Sequence, residues 1–125
     1  MNVIDSSAWL EYFANGPNAS FFAKAIEQVE KLVVPTLCLF EVFKRVFQQR
    51  SEDDALQAVA VMQQGAVVKL DEGLALNAAK LSIEYRLPMA DSIILATARA
   101  YDATLWTQDV DFKGLDGVEY RKRRM

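Results

Sequence analysis

The sequence predicts an α/β fold with three layers, in which helices cover both faces of a central, mainly parallel sheet of four to five strands. Short apolar runs typical of buried strands alternate with longer segments whose apolar residues recur at helical spacing. Such alternation is typical of a parallel sheet. The 125 residues show no repeat, linker or low-complexity segment, so we expect a single domain over residues 1–125.

The composition limits the possible chemistry. Histidine is absent, which excludes Ser-His-Asp and Cys-His catalysis and also zinc sites that use imidazole. The one cysteine, Cys38, lies in an apolar run and fits a reducing compartment. No apolar run reaches the roughly 20 residues of a membrane span, and the first residues lack the basic start of a signal peptide. We therefore expect a cytoplasmic protein without a membrane segment.

The charged residues are unevenly distributed along the chain. The net charge of −3 disfavours general nucleic-acid binding, yet residues 121–124 form a basic segment, Arg-Lys-Arg-Arg. This segment either contacts a polyanion or is simply solvated. Without histidine, any acid–base or metal chemistry must use carboxylates, which suit oxygen-preferring ions such as Mg²⁺ or Mn²⁺.

The first half of the chain predicts two strands, each followed by helices. Residues 2–4 form a short strand, and the Asp-Ser-Ser run that follows starts a helix ending near residue 13. A turn at residues 15–18 precedes a helix with one apolar face. Residues 32–34 form the second strand, closed by Pro35. Thr36 is predicted to cap a helix over residues 37–50, and Ser51 to start another that ends near residue 63.

The second half continues the pattern. Residues 66–70 form the third strand, and Asp71 caps a helix whose apolar residues follow the 3.6-residue period. Pro88 precedes a buried helix over residues 92–101, with Asp91 at its N-terminus. Residues 104–107 form the fourth strand, directly before Asp109 and Asp111, and residues 118–120 form an edge strand.

Four acidic residues are predicted to meet at one edge of the sheet. Asp5 ends the first strand and Asp109 follows the fourth, while Glu41 and Asp91 lie on helices entered from the same edge. Ligands of parallel sheets bind beyond the carboxyl ends of the strands. Crowded carboxylates repel one another unless a cation neutralises them. The cluster therefore predicts one or two Mg²⁺ or Mn²⁺ ions and, with them, hydrolysis of a phosphodiester.

Taken singly, most of these acids have a simpler explanation. Asp5 and Asp91 are also expected as helix caps, and Asp109 and Asp111 as turn residues. Glu41 differs, because it lies in an otherwise apolar stretch where a carboxylate is costly unless it is paired or bound to metal. The joint placement of the acids favours a site over separate structural roles.

Four motifs carry a resemblance to a known family. They are residues 3–7 (Val-Ile-Asp-Ser-Ser), Glu41 within residues 36–45, residues 87–98 (Leu-Pro-Met-Ala-Asp-Ser-Ile-Ile-Leu-Ala-Thr-Ala) and residues 107–112 (Thr-Gln-Asp-Val-Asp-Phe). In this order, over nearly the whole chain, they resemble PIN domains and, among these, the VapC ribonuclease toxins of toxin–antitoxin pairs. The resemblance implies a metal-dependent endoribonuclease whose catalytic and metal-binding acids are Asp5, Glu41, Asp91 and Asp109.

Three further residues match positions near the family's site. The family often has Asn at the position of Asp109, so Asp111, which precedes the family's usual Phe, is an alternative fourth ligand. Ser7 and Thr107 match hydroxyl positions near the site, where hydrogen bonds orient a carboxylate or a bound water. Capping of the first helix explains Ser7 equally well.

The resemblance also implies partners. They are an RNA substrate, a second copy of the chain in a homodimer, and a cognate VapB-like antitoxin that inserts a segment, often with an arginine, across the acidic groove. Phosphates of RNA would meet Lys44, Arg45, Arg86 and residues 121–124, in contacts that weaken with salt. Five aromatic residues serve either a partner surface or the core: Trp9, Tyr12, Phe13, Phe43 and Phe47.

Three other functions stay open. A phosphatase of the haloacid-dehalogenase type would have a second Asp two residues after Asp5, where this chain has Ser7. A PIN nuclease that processes RNA without an antitoxin fits the same residues. A PIN fold kept only for protein contacts fits less well, because all four acids are intact.

Overall fold

The computed structural model describes residues 1–124, and its centre is a five-stranded sheet in which every pair of strands is parallel. The strand order is β3-β2-β1-β4-β5. The predicted fold class and strand number are confirmed. The strands are β1 (Asn2–Ile4), β2 (Leu32–Pro35), β3 (Ala66–Val68), β4 (Thr104–Thr107) and β5 (Val118–Tyr120).

Six helices connect the strands and form the outer layers. The connections β1→β2 and β2→β3 step across the sheet in one direction, and β3→β4 steps back in the other. Right-handed connections then place the first four helices on one face and the last two on the opposite face. The helices are α1 (Ser6–Phe13), α2 (Ala19–Ile26), α3 (Thr36–Gln49), α4 (Glu52–Met62), α5 (Glu72–Tyr85) and α6 (Met89–Ala100).

The core lies on both faces of β1 and its two neighbours. Val3 of β1 pairs with Val33 of β2 and with Leu105 of β4, and all three are almost fully buried. Helix α6 is buried continuously over residues 92–98, as its apolar composition predicts. Its two buried hydroxyls bond to the helix backbone, Ser92 to the Met89 carbonyl and Thr97 to the Ile93 carbonyl. The helix can therefore be covered on most sides without unpaired hydroxyl groups.

Some predicted helix ends need correction. Thr36 is not a cap, because α3 begins at Thr36 itself and Pro35 occupies the cap position with φ −63° and ψ 138°. Proline fixes φ near this value, so it can start the helix without a side-chain acceptor. Asp91 lies inside the first turn of α6, because Pro88 rather than Asp91 is the cap. The predicted caps Ser51 and Asp71 are confirmed by bonds from the Asp54 and Leu74 amides.

The aromatic residues divide between core and surface. Trp9 is fully buried and stacks on Phe13 with ring centroids 5.6 Å apart, whereas Phe47 is 45% exposed. Tyr12 and Phe43 are partly buried against the core. Within residues 1–124, no helix has both the length and the apolar content needed to cross a bilayer.

Candidate functional site

Asp5 lies at the carboxyl end of β1, where the strand order reverses direction. It is 2% exposed and caps α1. Its Oδ1 accepts hydrogen bonds from the Ala8 amide (2.9 Å) and the Ser7 hydroxyl (2.8 Å), and its Oδ2 accepts one from the Thr107 hydroxyl (2.6 Å). Burial raises the pKa of Asp5 to about 6, although these three hydrogen bonds lower it. The chain thus keeps a carboxylate where few solvent molecules can stabilise its charge.

Thr107 links the ends of β1 and β4. Its buried hydroxyl donates to Asp5 and accepts a 2.9 Å hydrogen bond from the Asp109 amide. The Asp109 carboxylate then caps a short 3₁₀ turn, Val110–Phe112, by accepting from the Asp111 amide at 2.9 Å. Phe112 is fully buried and anchors this turn in the core. The positions of Asp109 and Asp111 are therefore fixed by packing as well as by hydrogen bonds.

Three carboxylates meet directly at this edge of the sheet. Asp91, Asp109 and Asp111 each offer one oxygen, and these oxygens all lie within 4.8 Å of one another. The pKa of Asp91 is raised to about 7, first by burial and then by the negative charges of Asp109, Asp5 and Asp111. Asp5 and Glu41 are not part of this three-oxygen cluster, but the negative charge of Asp5 contributes to the raised pKa of Asp91.

Glu41 reaches the same groove from α3. It is partly buried, and its Oε1 accepts a 2.6 Å hydrogen bond from the Ser6 hydroxyl of α1. The groove has a volume of about 730 Å³, and Asp5, Glu41, Asp91 and Asp109 all line it. The structure therefore brings the four predicted acids to one groove, with Asp111 completing the three-oxygen cluster at its exposed side.

Positive side chains also line the groove. Lys44 and Arg45 lie on α3, next to Glu41, and Arg123 comes from the basic segment after β5. Arg86, which the sequence grouped with them, instead ends α5 with a left-handed backbone (φ 56°) and is not among the described groove residues. The acidic floor is thus bordered by cations from two separate parts of the chain.

A buried polar network beside the acids was not expected from the sequence. Gln108, 3% exposed, accepts a 3.0 Å hydrogen bond at Oε1 from Nδ2 of Asn18, which is 1% exposed. The Glu11 carboxylate of α1 accepts a 2.7 Å hydrogen bond from the backbone N–H of Asn18. Gln108 lies inside the 107–112 motif, but Asn18 stands in a turn cluster where asparagine is common. No pattern in the sequence joins two residues 90 positions apart.

The donor atoms of the site fit a hard divalent cation. They are carboxylate and hydroxyl oxygens, without imidazole or an accessible thiol, since Cys38 is fully buried. Oxygen donors of this kind suit Mg²⁺ and Mn²⁺. Burial first, and then the neighbouring negative charges, raise the pKa values of Asp5 and Asp91, and a bound cation would offset this cost of charging them.

Several solved structures share this fold. A toxin–antitoxin complex from Klebsiella pneumoniae contains a similar chain, with 22% identity, a TM-score of 0.80, and 95% of this chain and 96% of that chain covered. VapC20 of Mycobacterium tuberculosis, described as a sarcin–ricin loop cleaving toxin, has 16% identity, a TM-score of 0.75, and coverage of 93% and 95%. VapBC2 from Rickettsia felis, bound to a DNA fragment from its promoter, has 12% identity, a TM-score of 0.74, and 97% coverage of both chains.

The match to a family model shows the family. A comparison with curated proteins gave no match. The model of the PIN domain family matches residues 3–118. That match extends from β1 to the start of β5 and includes all of the acids described above. The chain therefore belongs to the PIN domain family.

Proposed function

We propose that this protein is a metal-dependent endoribonuclease that hydrolyses RNA phosphodiester bonds, and that it is the toxin of a toxin–antitoxin pair. The observation that carries the proposal is the meeting of Asp91, Asp109 and Asp111 within 4.8 Å, in a groove that Asp5 and Glu41 also line. Membership of the PIN family and the fold shared with toxin chains support it.

Asp5, Glu41, Asp91 and Asp109 are the residues that would hold the metal, with Asp111 as an alternative to Asp109. A bound Mg²⁺ or Mn²⁺ ion would neutralise these charges and polarise the scissile phosphate. The surrounding hydroxyls have a separate task. Ser7 and Thr107 hold the Asp5 carboxylate in one orientation, and Ser6 does the same for Glu41. Fixed carboxylates lose little conformational freedom when a ligand binds.

Cleavage of a mixed cellular RNA pool tests the activity. Purified protein, free of any antitoxin, would be incubated with Mg²⁺, with Mn²⁺ and with a chelator. Asp91→Asn is the test variant, and Asp116→Asn, at an exposed residue outside the groove, is the matched control. We expect cleavage that requires metal, disappears in Asp91→Asn and persists in Asp116→Asn. Cleavage that survives in chelator or in Asp91→Asn would contradict the proposed site.

The antitoxin is proposed from the neighbours and from a second, more apolar groove. This groove has a volume of about 290 Å³, and Leu10, Phe13, Val46 and Val61 are among its lining residues. It shares Leu10, Ala14 and Gln49 with the acidic groove, so one extended segment of a partner could cover both. Co-expression with the product of an adjacent small reading frame should yield a complex whose RNA cleavage is suppressed.

A homodimer is proposed as the assembled form. Leu76 and Ile83 of α5 are 62% and 83% exposed and lie two turns apart on one side of the helix. Exposed apolar residues at such spacing are typical of a helix covered by a partner. The molar mass in solution decides this point, and Ile83→Lys should shift it toward the monomer.

The alternatives predict other outcomes of the same experiments. A PIN nuclease that processes RNA alone would cleave specific transcripts but ignore the adjacent gene product. A silent binding module would fold, bind no added metal and cleave no RNA in any condition. The oxygen cluster favours the enzyme, because a module without activity gains nothing from three carboxylates held so close together.

A further inference from the structure

Residues 121–124, which we call the basic strap, follow β5 along a path fixed by three contacts. The Arg121 amide donates a 3.0 Å hydrogen bond to the Thr107 carbonyl at the end of β4. The Arg121 guanidinium lies over the Phe21 ring, 4.1 Å from its centroid. Next, the Lys122 carbonyl accepts a 3.0 Å hydrogen bond from Nδ2 of Asn18. The strap is therefore held to the same strand end that carries the acids.

The side-chain amide of Asn18, which holds the strap, is buried at a cost in stability. It is 1% exposed and bonds to Gln108 as well as to Lys122, yet its Oδ1 has no hydrogen-bond partner within the described part of the chain. An unpaired buried carbonyl oxygen costs stability, but an apolar residue here would leave the Gln108 side-chain oxygen and the Lys122 carbonyl without their donor. The cost of the Asn18 oxygen is therefore tied to the two hydrogen bonds that hold the strap.

The result of these contacts is the position of Arg123. Arg123 is one of the residues that line the acidic groove, together with Asp5, Asp91 and Asp109, whereas Arg124 is not; both arginines are exposed. All four residues of the basic strap are exposed, but Arg123 alone among them borders the acidic groove. The backbone contacts of Arg121 and Lys122 place it there.

We propose that the basic strap positions Arg123 to bind a backbone phosphate of the RNA strand in the acidic groove. This inference rests on the proposed nuclease function and adds a substrate-binding residue to it. RNA approaching a cluster of carboxylates is repelled, so a phosphate needs a cation near the acids. A guanidinium suits this role, because its fork of N–H donors matches two phosphate oxygens. Lys44 and Arg45 of α3 would bind other phosphates of the same strand.

Binding of a short fluorescein-labelled single-stranded RNA of mixed sequence tests the proposal. Anisotropy is measured at several salt concentrations, in an Asp91→Asn background so that the RNA stays intact. Arg123→Gln is compared with Arg124→Gln, which removes the same charge from the next residue. We expect Arg123→Gln to raise Kd about tenfold. It should also reduce the slope of log Kd against log salt by about 0.7. Arg124→Gln should change both much less.

Kinetics with the active residues intact give a second readout. Arg123→Gln should raise KM and leave kcat within about twofold, because a contact with a phosphate other than the one being cleaved binds substrate and transition state alike. Asn18→Ala should weaken RNA binding in the same way, and the double variant should be no weaker than Arg123→Gln. If Asn18→Ala does not fold, the comparison of Arg123 with Arg124 still decides the proposal.

Two results would overturn it. Equal effects of Arg123→Gln and Arg124→Gln on RNA affinity would show that the strap contributes only nonspecific electrostatic attraction. Tighter metal binding and faster cleavage in Arg123→Gln would make Arg123 an internal counter-ion of the acids. Failure of the nuclease proposal gives a different result. In that case the wild type shows no metal-dependent cleavage, whatever the two arginine variants do in the RNA-binding assay.

Discussion

The hydroxyl of Thr107 donates a 2.6 Å hydrogen bond to Oδ2 of Asp5, while it accepts another from the Asp109 amide. One buried oxygen therefore joins a carboxylate at the end of β1 to the backbone of a second acid after β4. The Asp5 bond fixes the direction of the carboxylate and stabilises its charged form. The Asp109 bond sets the path of the chain into the following turn. The geometry of the acidic groove thus depends on a residue that carries no charge.

Thr107→Val should damage both stability and site geometry. The methyl group keeps the volume but leaves Asp5 and the Asp109 amide without their partner, at a cost of about 1–3 kcal/mol in the free energy of unfolding. Loss of the bond also raises the pKa of Asp5 further, so metal binding should require a higher pH. Titration calorimetry with Mn²⁺ at several pH values measures the shift. Thr107→Ser retains the hydroxyl and should behave like the wild type, and an unchanged Thr107→Val would refute this role.

Asp91→Asn should stabilise the metal-free protein. Removing one negative charge from the group formed with Asp109, Asp5 and Asp111 relieves repulsion. Because Asp91 is only partly buried, solvent screens part of this effect, so we expect about 1 kcal/mol, or about 4 °C in Tm. Added Mg²⁺ or Mn²⁺ should raise the Tm of the wild type and leave the variant nearly unchanged. A variant that melts lower in chelator would instead make Asp91 a structural helix residue.

The metal-free protein should lose stability as the pH rises. The pKa values of Asp5 and Asp91 are raised from 3.8 to about 6 and about 7. Between the unfolded and folded values the native state therefore binds more protons than the unfolded state, and the free energy of unfolding falls with increasing pH. Melting in chelator from about pH 4 to about pH 8 covers this window.

The matched control for this pH dependence is the double variant Asp5→Asn/Asp91→Asn. All other carboxylates contribute equally to both proteins, so the difference between the two melting curves isolates these two residues. Lowering the pH should therefore stabilise the wild type increasingly relative to the double variant. Two curves that stay parallel over the whole range would show that neither carboxyl group has a raised pKa.

Asp109 should matter more than Asp111, although both belong to the oxygen cluster. Asp109 is partly buried, lines the groove and has its backbone fixed by Thr107, whereas Asp111 is exposed. A preorganised ligand binds metal with a smaller loss of side-chain freedom. We expect Asp109→Asn to weaken Mn²⁺ binding about tenfold or more and Asp111→Asn by a few-fold. The reverse order would identify Asp111 as the fourth ligand.

Local patterns carried most of the fold and the acidic residues of the site. The apolar runs at residues 2–4, 32–34 and 104–107 could be assigned to buried strands, because a parallel sheet covered on both faces leaves no room for alternation. Strand ends then predicted where Asp5 and Asp109 lie. Glu41 stood out because a carboxylate in an apolar stretch needs a partner, which the structure identifies as Ser6.

Other features depend on contacts that no local pattern records. Thr36 has the residue type of a helix cap, but the backbone of Pro35 already starts the helix. The pairing of Asn18 with Gln108 joins a turn to a strand end through the tertiary fold alone. The course of residues 121–124 depends on that same pairing, so a composition analysis could offer only two choices, contact with a polyanion or solvation.

A central strand pairing of the sheet joins two segments that are far apart in the sequence, since Asn2 of β1 lies beside Thr104 of β4. During translation, a nascent chain that has not yet released β4 has Asp5 without Thr107 and without Asp109. Contacts of such long sequence separation also carry a large loop-closure entropy cost, which slows folding. The acidic groove therefore cannot form until residues 104–111 have left the ribosome. The order of synthesis itself delays the assembly of the groove.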